Sequence, residues 1–421
     1  MLREENELLT HVGPGTPLGE LYRRFWVPAL LAEELPERDG PPVRTRILGE
    51  DLVGFRDTGG QVGFVARNCP HRGASLFFGR NEEDGLRCVY HGWKFDVTGQ
   101  CVDMPNEPAE SNFKTKIRAT SYPARERGGV IWIYMGPQER IPELPELEWA
   151  RVPADQRDVW RVTNEANWLQ MIEGDLDTCH SMFLHSAVDP SALLLTSRRF
   201  EQTSDRAPRI SLKQTDWGFA YAGRYAALGG RHNWRVTQWL MPCYTLIANR
   251  AWPVVGRAVV PADDEHCHFF TIRYSGEGPL DRDRLPNRGA ERTVYTMPDG
   301  SLIDTYRPLA NRSNDYLLDR ERQRIKNYTG MFRIFDEDRA MTESMGPIVD
   351  RTQEHLGTSD LAVIGLRRRL LSMMKELQQG VEPAAPHDGS VYHVRSYDTV
   401  SDEGDFERFL EEHRSGMLAV V

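Results

Sequence analysis

The sequence predicts an α+β fold with two parts, a small all-β domain near the N-terminus and a C-terminal domain that combines an antiparallel sheet with helices. Short strand-like runs, divided by glycine and aspartate turns, fill residues 43–136. A second group of strand-like segments covers residues 209–274. Helical patterns precede and follow this second group, near 165–185 and over 313–345 and 358–379.

The chain has 421 residues, which is long enough for two domains with separate cores. Its predicted divisions are an N-terminal helical arm over 1–40, the β domain over 41–150 and the second domain over 151–421. Within the arm, residues 17–34 are predicted to be a short helix whose regular part ends at Pro28. A proline-rich linker at 141–146 separates the domains, and a charged, loop-rich region is expected over 275–312.

Charge and hydropathy exclude several classes of protein. The net charge is −10 and basic residues form no long block, which argues against binding to nucleic acid. The charged N-terminus lacks the apolar core of a signal peptide, and apolar runs are too short to cross a membrane. Cytoplasmic localisation is therefore expected, with scattered, reduced thiols at Cys101, Cys179, Cys243 and Cys267.

Two short motifs in the first quarter of the chain each pair a cysteine with a histidine. One contains Cys69 and His71, the other Cys88 and His91, and sixteen residues separate His71 from Cys88. Cys-x-His followed by Cys-x-x-His is the ligand set of a Rieske [2Fe–2S] cluster, in which two thiolates bind one iron and two imidazoles bind the other. The sequence therefore predicts a carrier of single electrons.

A structural zinc site is the alternative interpretation, because two cysteines and two histidines also suit tetrahedral zinc. Zinc fingers, however, usually pair cysteine with cysteine and histidine with histidine, whereas each short pair here is mixed. Gly73 and Gly92 permit tight turns close to the sulfide. Trp93, Phe95 and Phe64 supply apolar cover. These flanking residues favour the cluster.

A third motif, D-x2-H-x4-H, consists of Asp177, His180 and His185. Asp177 and His180 share a face if the segment is helical. His180 and His185 lie about 140° apart on an ideal helix, so they converge only if the helix distorts or ends between them. Two imidazoles and one carboxylate form the facial triad of non-haem Fe(II) oxygenases. Taken alone, the histidines are better explained as ordinary core residues, but the cluster motif upstream favours a second redox centre.

The carboxylate of such a triad has to come from another part of the chain. Asp338 is the candidate, in a segment that also contains Asp336 and Glu337. Spacing alone leaves all three open.

Over nearly its whole length the chain resembles the Rieske non-haem iron ring-hydroxylating oxygenases, and among them the oxygenase subunits of the phthalate 4,5-dioxygenase type. Besides the cluster and iron motifs, the resemblance rests on Gly13-x-Gly15-x-Pro17-Leu18-Gly19, Arg24-Phe25-Trp26-Val27-Pro28, Tyr90-His91-Gly92-Trp93-Lys94-Phe95, Asn167-Trp168 with Glu173-Gly174, Met345-Gly346-Pro347-Ile348-Val349-Asp350-Arg351 and Glu354-His355-Leu356-Gly357-x-Ser359-Asp360. It implies a Rieske domain followed by a catalytic domain of the helix-grip type.

The resemblance also implies roles for individual residues. The cluster ligands would be Cys69, His71, Cys88 and His91, and the Fe(II) ligands would be His180, His185 and Asp338. Asp177 would link a cluster histidine of a neighbouring subunit to His180, in a head-to-tail ring that is a homotrimer or a hexamer. An ionised carboxylate in this position fixes the tautomers of the imidazoles.

For the substrate, the resemblance implies an aromatic carboxylate held by an arginine, whose fork matches the two carboxylate oxygens. Arg235 is the candidate anchor, with Trp239 as an apolar wall of the pocket. Glu201 stands where enzymes of the phthalate type tend to have a second arginine, although Arg198 or Arg199 could take that place. This departure favours a monocarboxylate or a larger aryl acid over an ortho-dicarboxylate.

The function implied is that of the oxygenase component of a multicomponent system, which uses O2 and electrons from an NAD(P)H-dependent iron–sulfur or flavin reductase to dihydroxylate the aromatic ring. The first alternative is a monooxygenase that performs O- or N-dealkylation or ring monohydroxylation, which shares all the metal motifs. The second is a non-catalytic electron carrier. A carrier needs only about a hundred residues and gives no reason for the His180 and His185 motif.

Overall fold

An all-β domain and a larger domain of antiparallel sheet and helices make up the protein, so the predicted α+β fold class is confirmed. The structure is a computed structural model, and it describes residues 1–189, 205–285 and 288–421. The domain boundaries drawn from the sequence stay predictions.

The N-terminal forty residues contain α1 (Arg3–Thr10), α2 (Pro17–Tyr22) and β1 (Trp26–Leu31). Thr16 caps α2 by accepting a backbone hydrogen bond, and Pro17 occupies the first turn, where a missing N–H costs nothing. The prediction of a helix over 17–34 is wrong beyond Tyr22. Every residue of β1 is buried, and the strand pairs with Val130–Tyr134, so long-range strand pairing overrides the local helical pattern.

The all-β domain consists of small antiparallel sheets. Its strands are β2 (Val43–Ile47), β3 (Glu50–Arg56), β4 (Val62–Ala66), β5 (Arg80–Glu82), β6 (Gly85–Arg87), β7 (Lys94–Phe95), β8 (Cys101–Asp103), β9 (Ser121–Tyr122), β10 (Ala124–Arg127) and β11 (Val130–Tyr134). The three sheets have the strand orders β2-β3-β4-β9, β5-β6-β7-β8 and β1-β11-β10. β11 is buried along its whole length, which confirms the buried strand predicted there.

The β5–β8 sheet and its flanking loops have a core of their own. Its buried side chains include Phe55, Leu86 and Phe95, and the same cluster contains Cys69 and Cys88. Both cysteines therefore lie at the edge of an apolar core and not in a solvent-filled loop.

The C-terminal domain is built on one large antiparallel sheet. After α3 (Glu148–Arg151), its strands are β12 (Arg157–Asn164), β13 (Arg209–Thr215), β14 (Gly218–Ala226), β15 (His232–Leu240), β16 (Tyr244–Ile247), β17 (Val254–Pro261) and β18 (Cys267–Tyr274). Their order across the sheet is β12-β18-β17-β16-β15-β14-β13. The strands predicted over 209–274 are therefore confirmed. Between β12 and β13 the chain forms α4 (Trp168–Asp175).

The region from 275 to 312 contains more regular structure than the sequence predicted. Instead of loops alone it forms a hairpin of β19 (Ala290–Thr296) and β20 (Leu302–Pro308). The strands are only half buried, so their polar, charged residues resemble a loop in composition although they alternate in exposure.

The long helix predicted over 313–345 is wrong, because the chain forms two shorter helices, α5 (Arg320–Ile325) and α6 (Ile334–Ser344). Asp319 caps α5 through its side chain. Gly330, with φ of 79°, lies in the loop that separates the helices, and a side chain there would collide with the Asp319 carbonyl. This loop, 326–333, approaches the segment that follows His185.

The end of the chain returns to the large sheet. α7 (Leu361–Gln378) confirms the helix predicted over 358–379, and it is followed by β21 (Tyr397–Ser401) and α8 (Phe406–Glu412). β21 pairs with the first half of β15, whereas β16 pairs with the second half. α7 packs closely on β13, where Leu212 fills the space beside Gly365. Helices α4 and α6 pack on each other, and α4 also packs on β17, beside the site described next.

Candidate metal centres

The two Cys–His motifs lie in loops with the same backbone geometry. In the first loop the N–H of Gly73 donates to the carbonyl of Cys69 over 2.9 Å, and in the second the N–H of Gly92 donates to that of Cys88 over 2.9 Å. Gly73 has a φ of 76° and Gly92 a φ of 80°, a region that favours glycine. Each loop therefore closes tightly around its cysteine.

The two imidazoles of these loops lie close together, in an edge-to-face arrangement. The ring centroids of His71 and His91 are 4.4 Å apart, and the ring of His71 stacks on Trp93 at 4.3 Å. The indole N–H of Trp93 donates to Asn106 over 2.8 Å, which fixes this ring. The Nδ1 atom of His71 is buried, with no hydrogen-bond partner among the described residues. Buried polar nitrogens normally have a partner, so this one is suited to a metal bond.

The two thiols complete the donor set. Cys69 and Cys88 are buried, and burial raises the pKa of Cys69 to about 11, with a smaller contribution from Cys88. A buried, protonated thiol is a poor nucleophile, and it becomes a thiolate when a metal binds. Two thiols and two imidazoles at one edge of an apolar core fit the mixed ligand set of a Rieske cluster.

A second group of ligand-type side chains consists of His180, His185 and Asp338, whose ligand atoms all lie within 4.8 Å of one another. The Nε2 atoms of the two histidines are 3.2 Å apart. Oδ1 of Asp338 lies 3.5 Å from Nε2 of His180 and 3.0 Å from Nε2 of His185. Two imidazoles and a carboxylate that converge in this way fit the facial triad of non-haem iron.

The end of α4 allows the two histidines to converge. α4 ends at Asp175, and after a turn the residues from His180 to Met182 form a short 3-10 helix. Asp177 stabilises this turn by accepting a hydrogen bond of 2.7 Å from the N–H of Cys179. The condition set by the five-residue spacing, that the helix ends or distorts, is therefore met.

Three consecutive acidic side chains of α6 have different partners, because successive residues of a helix point about 100° apart. Asp336 turns to Arg339, with a contact of 2.7 Å. Glu337 accepts a hydrogen bond from Nδ1 of His185 over 2.6 Å. Asp338 alone among these three lies between the two Nε2 atoms. The geometry therefore separates the three carboxylates that spacing left open.

A carboxylate also lies at the Nδ1 atom of each imidazole, at 3.6 Å from Asp177 for His180 and at 2.6 Å from Glu337 for His185. Burial opposes protonation of His180, but hydrogen bonds to Asp177 and Asp338 outweigh it and raise its pKa to about 10. Burial also opposes protonation of His185, but Asp338 and Glu337 outweigh it and raise its pKa to about 8. Burial opposes ionisation of Asp338, yet the two imidazoles lower its pKa. The group is thus arranged to hold positive charge.

Sequence reasoning missed Arg257 and Asp175. Arg257, on β17, binds Asp175 through a hydrogen bond, and its Nη2 atom lies 4.0 Å from Oδ2 of Asp338. The hydroxyl of Thr245 donates to Asp175 over 2.9 Å. Burial raises the pKa of Asp175, while Arg257 opposes that rise. The available signal was the charge of Arg257 within an otherwise apolar strand, because a buried charge needs a partner.

The two substrate-binding candidates, Arg235 and Trp239, lie on the same face of β15 because they are four residues apart. Trp239 pairs across the sheet with Thr245, and Thr245 contacts Asp175, so this face turns towards the group of His180, His185 and Asp338. Trp239 itself is fully buried against Phe219.

Arg235 lies near the other end of this face. It is buried, its Nη1 atom is 3.5 Å from Asp398 of β21, and its Nη2 atom donates to the carbonyl of Ala248 over 3.4 Å. Trp234, one residue earlier, points to the opposite face and stacks on Phe409 of α8 at 4.7 Å. Arg198, Arg199 and Glu201, the positions considered for a second anchor, lie outside the described residues.

Comparison with known families gives two matches, one after the other along the chain. Residues 25–123 match the Rieske [2Fe–2S] domain, and residues 133–415 match the family described as LigXa C-terminal domain like. The second match alone covers more than half of the chain. The protein belongs to the Rieske oxygenases.

Two relatives match this Rieske oxygenase over nine tenths of its length or more. It is 39% identical to the 3-chlorobenzoate-3,4-dioxygenase oxygenase subunit of Comamonas testosteroni, over 99% of each chain. It is 41% identical to the phthalate 4,5-dioxygenase oxygenase subunit of Pseudomonas putida, over 90% of this chain and 87% of the relative. The resemblance inferred from the sequence is therefore confirmed.

Solved structures share the fold of this Rieske oxygenase at low sequence identity. Dicamba monooxygenase bound to dicamba is 18% identical, with a TM-score of 0.57, over 85% of this chain and 99% of that chain. The terminal oxygenase of carbazole 1,9a-dioxygenase from Nocardioides aromaticivorans is 19% identical, with a TM-score of 0.56, over 87% of this chain and 98% of that chain.

Membership of the family determines the class of enzyme and its cofactors. This Rieske oxygenase is an oxygenase subunit of the aromatic ring-hydroxylating type, with a Rieske [2Fe–2S] cluster and a mononuclear non-haem iron. Among the described residues, no helix is both long and apolar enough to cross a bilayer.

Proposed function

We propose that this chain dihydroxylates an aromatic carboxylate, with O2 as co-substrate and with electrons from an NAD(P)H-dependent iron–sulfur or flavin reductase. The observation that carries the proposal is the convergence of His180, His185 and Asp338 beside the face of β15 that holds Arg235. The relatives at 39% and 41% identity are named for 3-chlorobenzoate and for phthalate, and both compounds are aromatic carboxylates.

We assign the cluster to Cys69, His71, Cys88 and His91, and Fe(II) to His180, His185 and Asp338. When bound, the iron supplies the activation of O2 and the cluster supplies single electrons. The chain itself binds and orients the ring, and it fixes the imidazole protons. Glu337 accepts the Nδ1 proton of His185, and the carboxylate of Asp177 lies 3.6 Å from Nδ1 of His180, so the Nε2 atoms of both histidines would be free for the metal.

Asp177 is assigned the catalytic role at a boundary between subunits. Its side chain is 31% exposed, so it can be reached from outside the chain. Within the described residues, hydrogen bonds and ion pairs do not join the cluster loops to the group of His180 and His185. The second cluster loop exposes the apolar side chains of Val89 and Tyr90, and Phe113 is exposed beside Trp93. These features support a head-to-tail homo-oligomer, a trimer or a hexamer, in which one chain's cluster meets another chain's Asp177.

The substrate is proposed to bind between the iron ligands and the inward face of β15, with its carboxylate on Arg235 and its ring near Trp239. The carboxylate of Asp398 is shared by two arginines. Besides its contact with Arg235, its Oδ1 atom lies 3.1 Å from Nη2 of Arg250. Two guanidinium groups around one carboxylate leave one net positive charge. A single positive charge suits a monocarboxylate better than an ortho-dicarboxylate.

The test is the mass of the product after a single turnover. Reduced, iron-loaded protein is exposed to O2 with a panel of benzoate, 3-chlorobenzoate, phthalate, phenoxybenzoate and methoxybenzoates. A product that has gained two oxygens and two hydrogens supports ring dihydroxylation and identifies the substrate class. Products with one added oxygen, or no product from any acid, would contradict the proposal.

A monooxygenase is the second candidate, because some relatives carry such names. The 5,5'-dehydrodivanillate O-demethylase oxygenase subunit of Sphingobium is 32% identical over 91% of this chain and 82% of the relative. Release of formaldehyde from methoxybenzoates in the same experiment would favour this candidate. A non-catalytic carrier is distinguished by metal analysis, since it would hold two irons per chain and not three.

A further inference from the structure

We infer that Glu337 is the positioning residue of His185: it holds the proton on Nδ1 of this imidazole and thereby keeps Nε2 free for the metal. The inference rests on the proposed function, in which His185 is an iron ligand. It concerns a carboxylate that the sequence offered only as an alternative ligand. In the structure Glu337 reaches the imidazole from the side opposite to Asp338.

The contact is short and buried. Oε2 of Glu337 lies 2.6 Å from Nδ1 of His185, and the side chain of Glu337 is 1% exposed. A carboxylate accepts a hydrogen bond and cannot donate one when ionised, so its partner nitrogen must carry the proton. The neutral imidazole then has its lone pair on Nε2, the atom that faces Asp338 and His180. The contact therefore selects the tautomer that a metal requires.

The second oxygen of Glu337 is held by two side chains of the loop between α5 and α6. The hydroxyl of Thr329 donates to Oε1 over 2.5 Å, and the side-chain amide of Asn327 donates to it over 3.3 Å. Asn327 is itself fixed, since its Oδ1 atom accepts from the N–H of Gly330 over 3.1 Å. These donors supply partners for the second oxygen of Glu337 in a buried place, where a polar group without partners would be costly.

The same loop also holds the backbone that follows His185. The N–H of Tyr328 donates to the carbonyl of Ser186 over 3.0 Å, and Ala187 pairs with Asn327 as an isolated antiparallel bridge. His185 is thus fixed twice by one loop, through its backbone neighbour and through its ring by way of Glu337. This double attachment explains why the chain interrupts the predicted long helix between α5 and α6.

The two proposed iron histidines differ in how closely a carboxylate holds their Nδ1 atoms. Nδ1 of His180 lies 3.6 Å from Asp177, whose side chain is 31% exposed, whereas Nδ1 of His185 has a closer and buried partner. We assign to Asp177 the transfer of electrons from the cluster of another subunit. We assign to Glu337 the fixed orientation of the His185 ring. Loss of Glu337 should therefore affect the binding of any divalent metal, even in protein that lacks its Rieske cluster.

The experiment measures the affinity of metal-free protein for Co2+, whose visible spectrum reports coordination, in the wild type and in Glu337→Gln. Loss of an orienting carboxylate typically costs 10–100-fold in affinity, and this is the expected change, together with an altered ligand-field spectrum. Glu343→Gln is the matched control, because Glu343 is a buried carboxylate of the same helix that contacts Tyr316 over 2.6 Å and no proposed ligand. It is expected to keep the wild-type affinity.

Unchanged Co2+ affinity and spectrum in Glu337→Gln would overturn the inference, as would an equal loss in Glu343→Gln. If Glu337→Gln does not fold, Thr329→Val replaces it, since this change removes one donor to Glu337 and keeps the side-chain volume. A loss of Co2+ affinity of about 3-fold or more in Thr329→Val supports the inference, and no loss overturns it. Failure of the proposed function looks different, because wild-type protein would then bind Co2+ no better than His185→Ala.

Discussion

The guanidinium of Arg257 lies 4.0 Å from Oδ2 of Asp338, the carboxylate oxygen that faces away from the two imidazoles. Arg257 is at the same time hydrogen bonded to Asp175, at the end of the helix that precedes His180. A strand of the sheet is therefore joined to both helical segments that supply the proposed iron ligands. The geometry of the site depends on this buried pair as well as on the ligands.

Replacement of Arg257 by methionine should destabilise the fold by about 3–5 kcal/mol, because it leaves the carboxylate of Asp175 buried without its cation. Urea unfolding measures this change. Arg284→Met is the control, since Arg284 is 86% exposed and its ion pair with Asp281 should contribute less than about 1 kcal/mol. Equal losses in the free energy of unfolding would show that the buried ion pair stabilises the fold no more than the exposed one.

Cys88→Ser should remove the Rieske cluster and leave the mononuclear site able to bind iron. The iron content should fall from three atoms per chain to one, with loss of the visible absorption and of the low-temperature EPR signal of the cluster. Cys101→Ser is a close control, since Cys101 is buried in the same core but its thiol contacts the carbonyl of Asp103 over 3.4 Å. Loss of the cluster in Cys101→Ser would count against the assigned ligands.

Asp177→Asn should retain three irons per chain and lower coupled turnover about 10–100-fold or more, because an amide cannot replace the carboxylate that faces Nδ1 of His180. Product formed per NAD(P)H oxidised, together with iron content, measures this separation. Asp360→Asn is the control: Asp360 is a nearby acidic residue whose carboxylate accepts from the N–H of Gly357 over 2.7 Å. Normal turnover in Asp177→Asn with full metal content contradicts the assigned role.

Metal affinity at the His180 site should rise with pH. In the metal-free fold the pKa of His180 is raised to about 10 and that of His185 to about 8, so protons compete with the metal below these values. Both pKa values lie above the unfolded value of about 6.5, so protonation stabilises the metal-free fold most fully below pH 6.5. This stabilisation is lost as the pH rises through 8 and then 10.

The measurement is the dissociation constant of Co2+ at pH 7 and at pH 8.5, beside the melting temperature of metal-free protein over the same interval. Affinity should increase as the melting temperature of the metal-free protein decreases. A dissociation constant that does not change with pH would mean that protons and metal do not compete for these histidines.

Arg235→Gln should raise KM for the aromatic carboxylate, because a hydrogen bond to a charged group contributes about 1.5–3 kcal/mol, which corresponds to roughly 10–150-fold. The change should disappear with the matching carboxamide. Arg250→Gln is the matched control, since it also removes one cation from Asp398 but its side chain is 42% exposed. A larger rise in KM in Arg250→Gln than in Arg235→Gln would move the anchor to the outer arginine.

The sequence predicted best those parts of the site whose residues are close in the chain. Cys69 and His71, like Cys88 and His91, lie within single loops, so their spacing determines the donor set locally. Asp338 is more than 150 residues from His185, and spacing left its two acidic neighbours open. The family resemblance favours Asp338, and the rotation of α6 gives the physical reason, because it directs each of the three carboxylates to a different partner.

Contacts between distant segments explain what the sequence did not reveal. The pair of Asp175 and Arg257 joins a helix to a strand. Residues 26–31, which have a helical pattern, form a strand because they pair with β11. The break between α5 and α6 likewise follows from contacts of the loop 326–333 with Ser186 and Glu337. Local propensity is a weak prior when such tertiary contacts compete with it.

The proposed metal ligands and the proposed substrate contacts come from different elements, and this separation matters for the design of variants. The residues assigned to iron come from α6 and from the turn after α4, whereas Arg235 and Trp239 come from β15. Thr237 of β15 and Ile247 of β16 lie on the same face of the sheet as Arg235 and Trp239, and they can be varied without changing a proposed ligand. A library restricted to these strand positions should yield altered substrate preference among proteins that still load their metals.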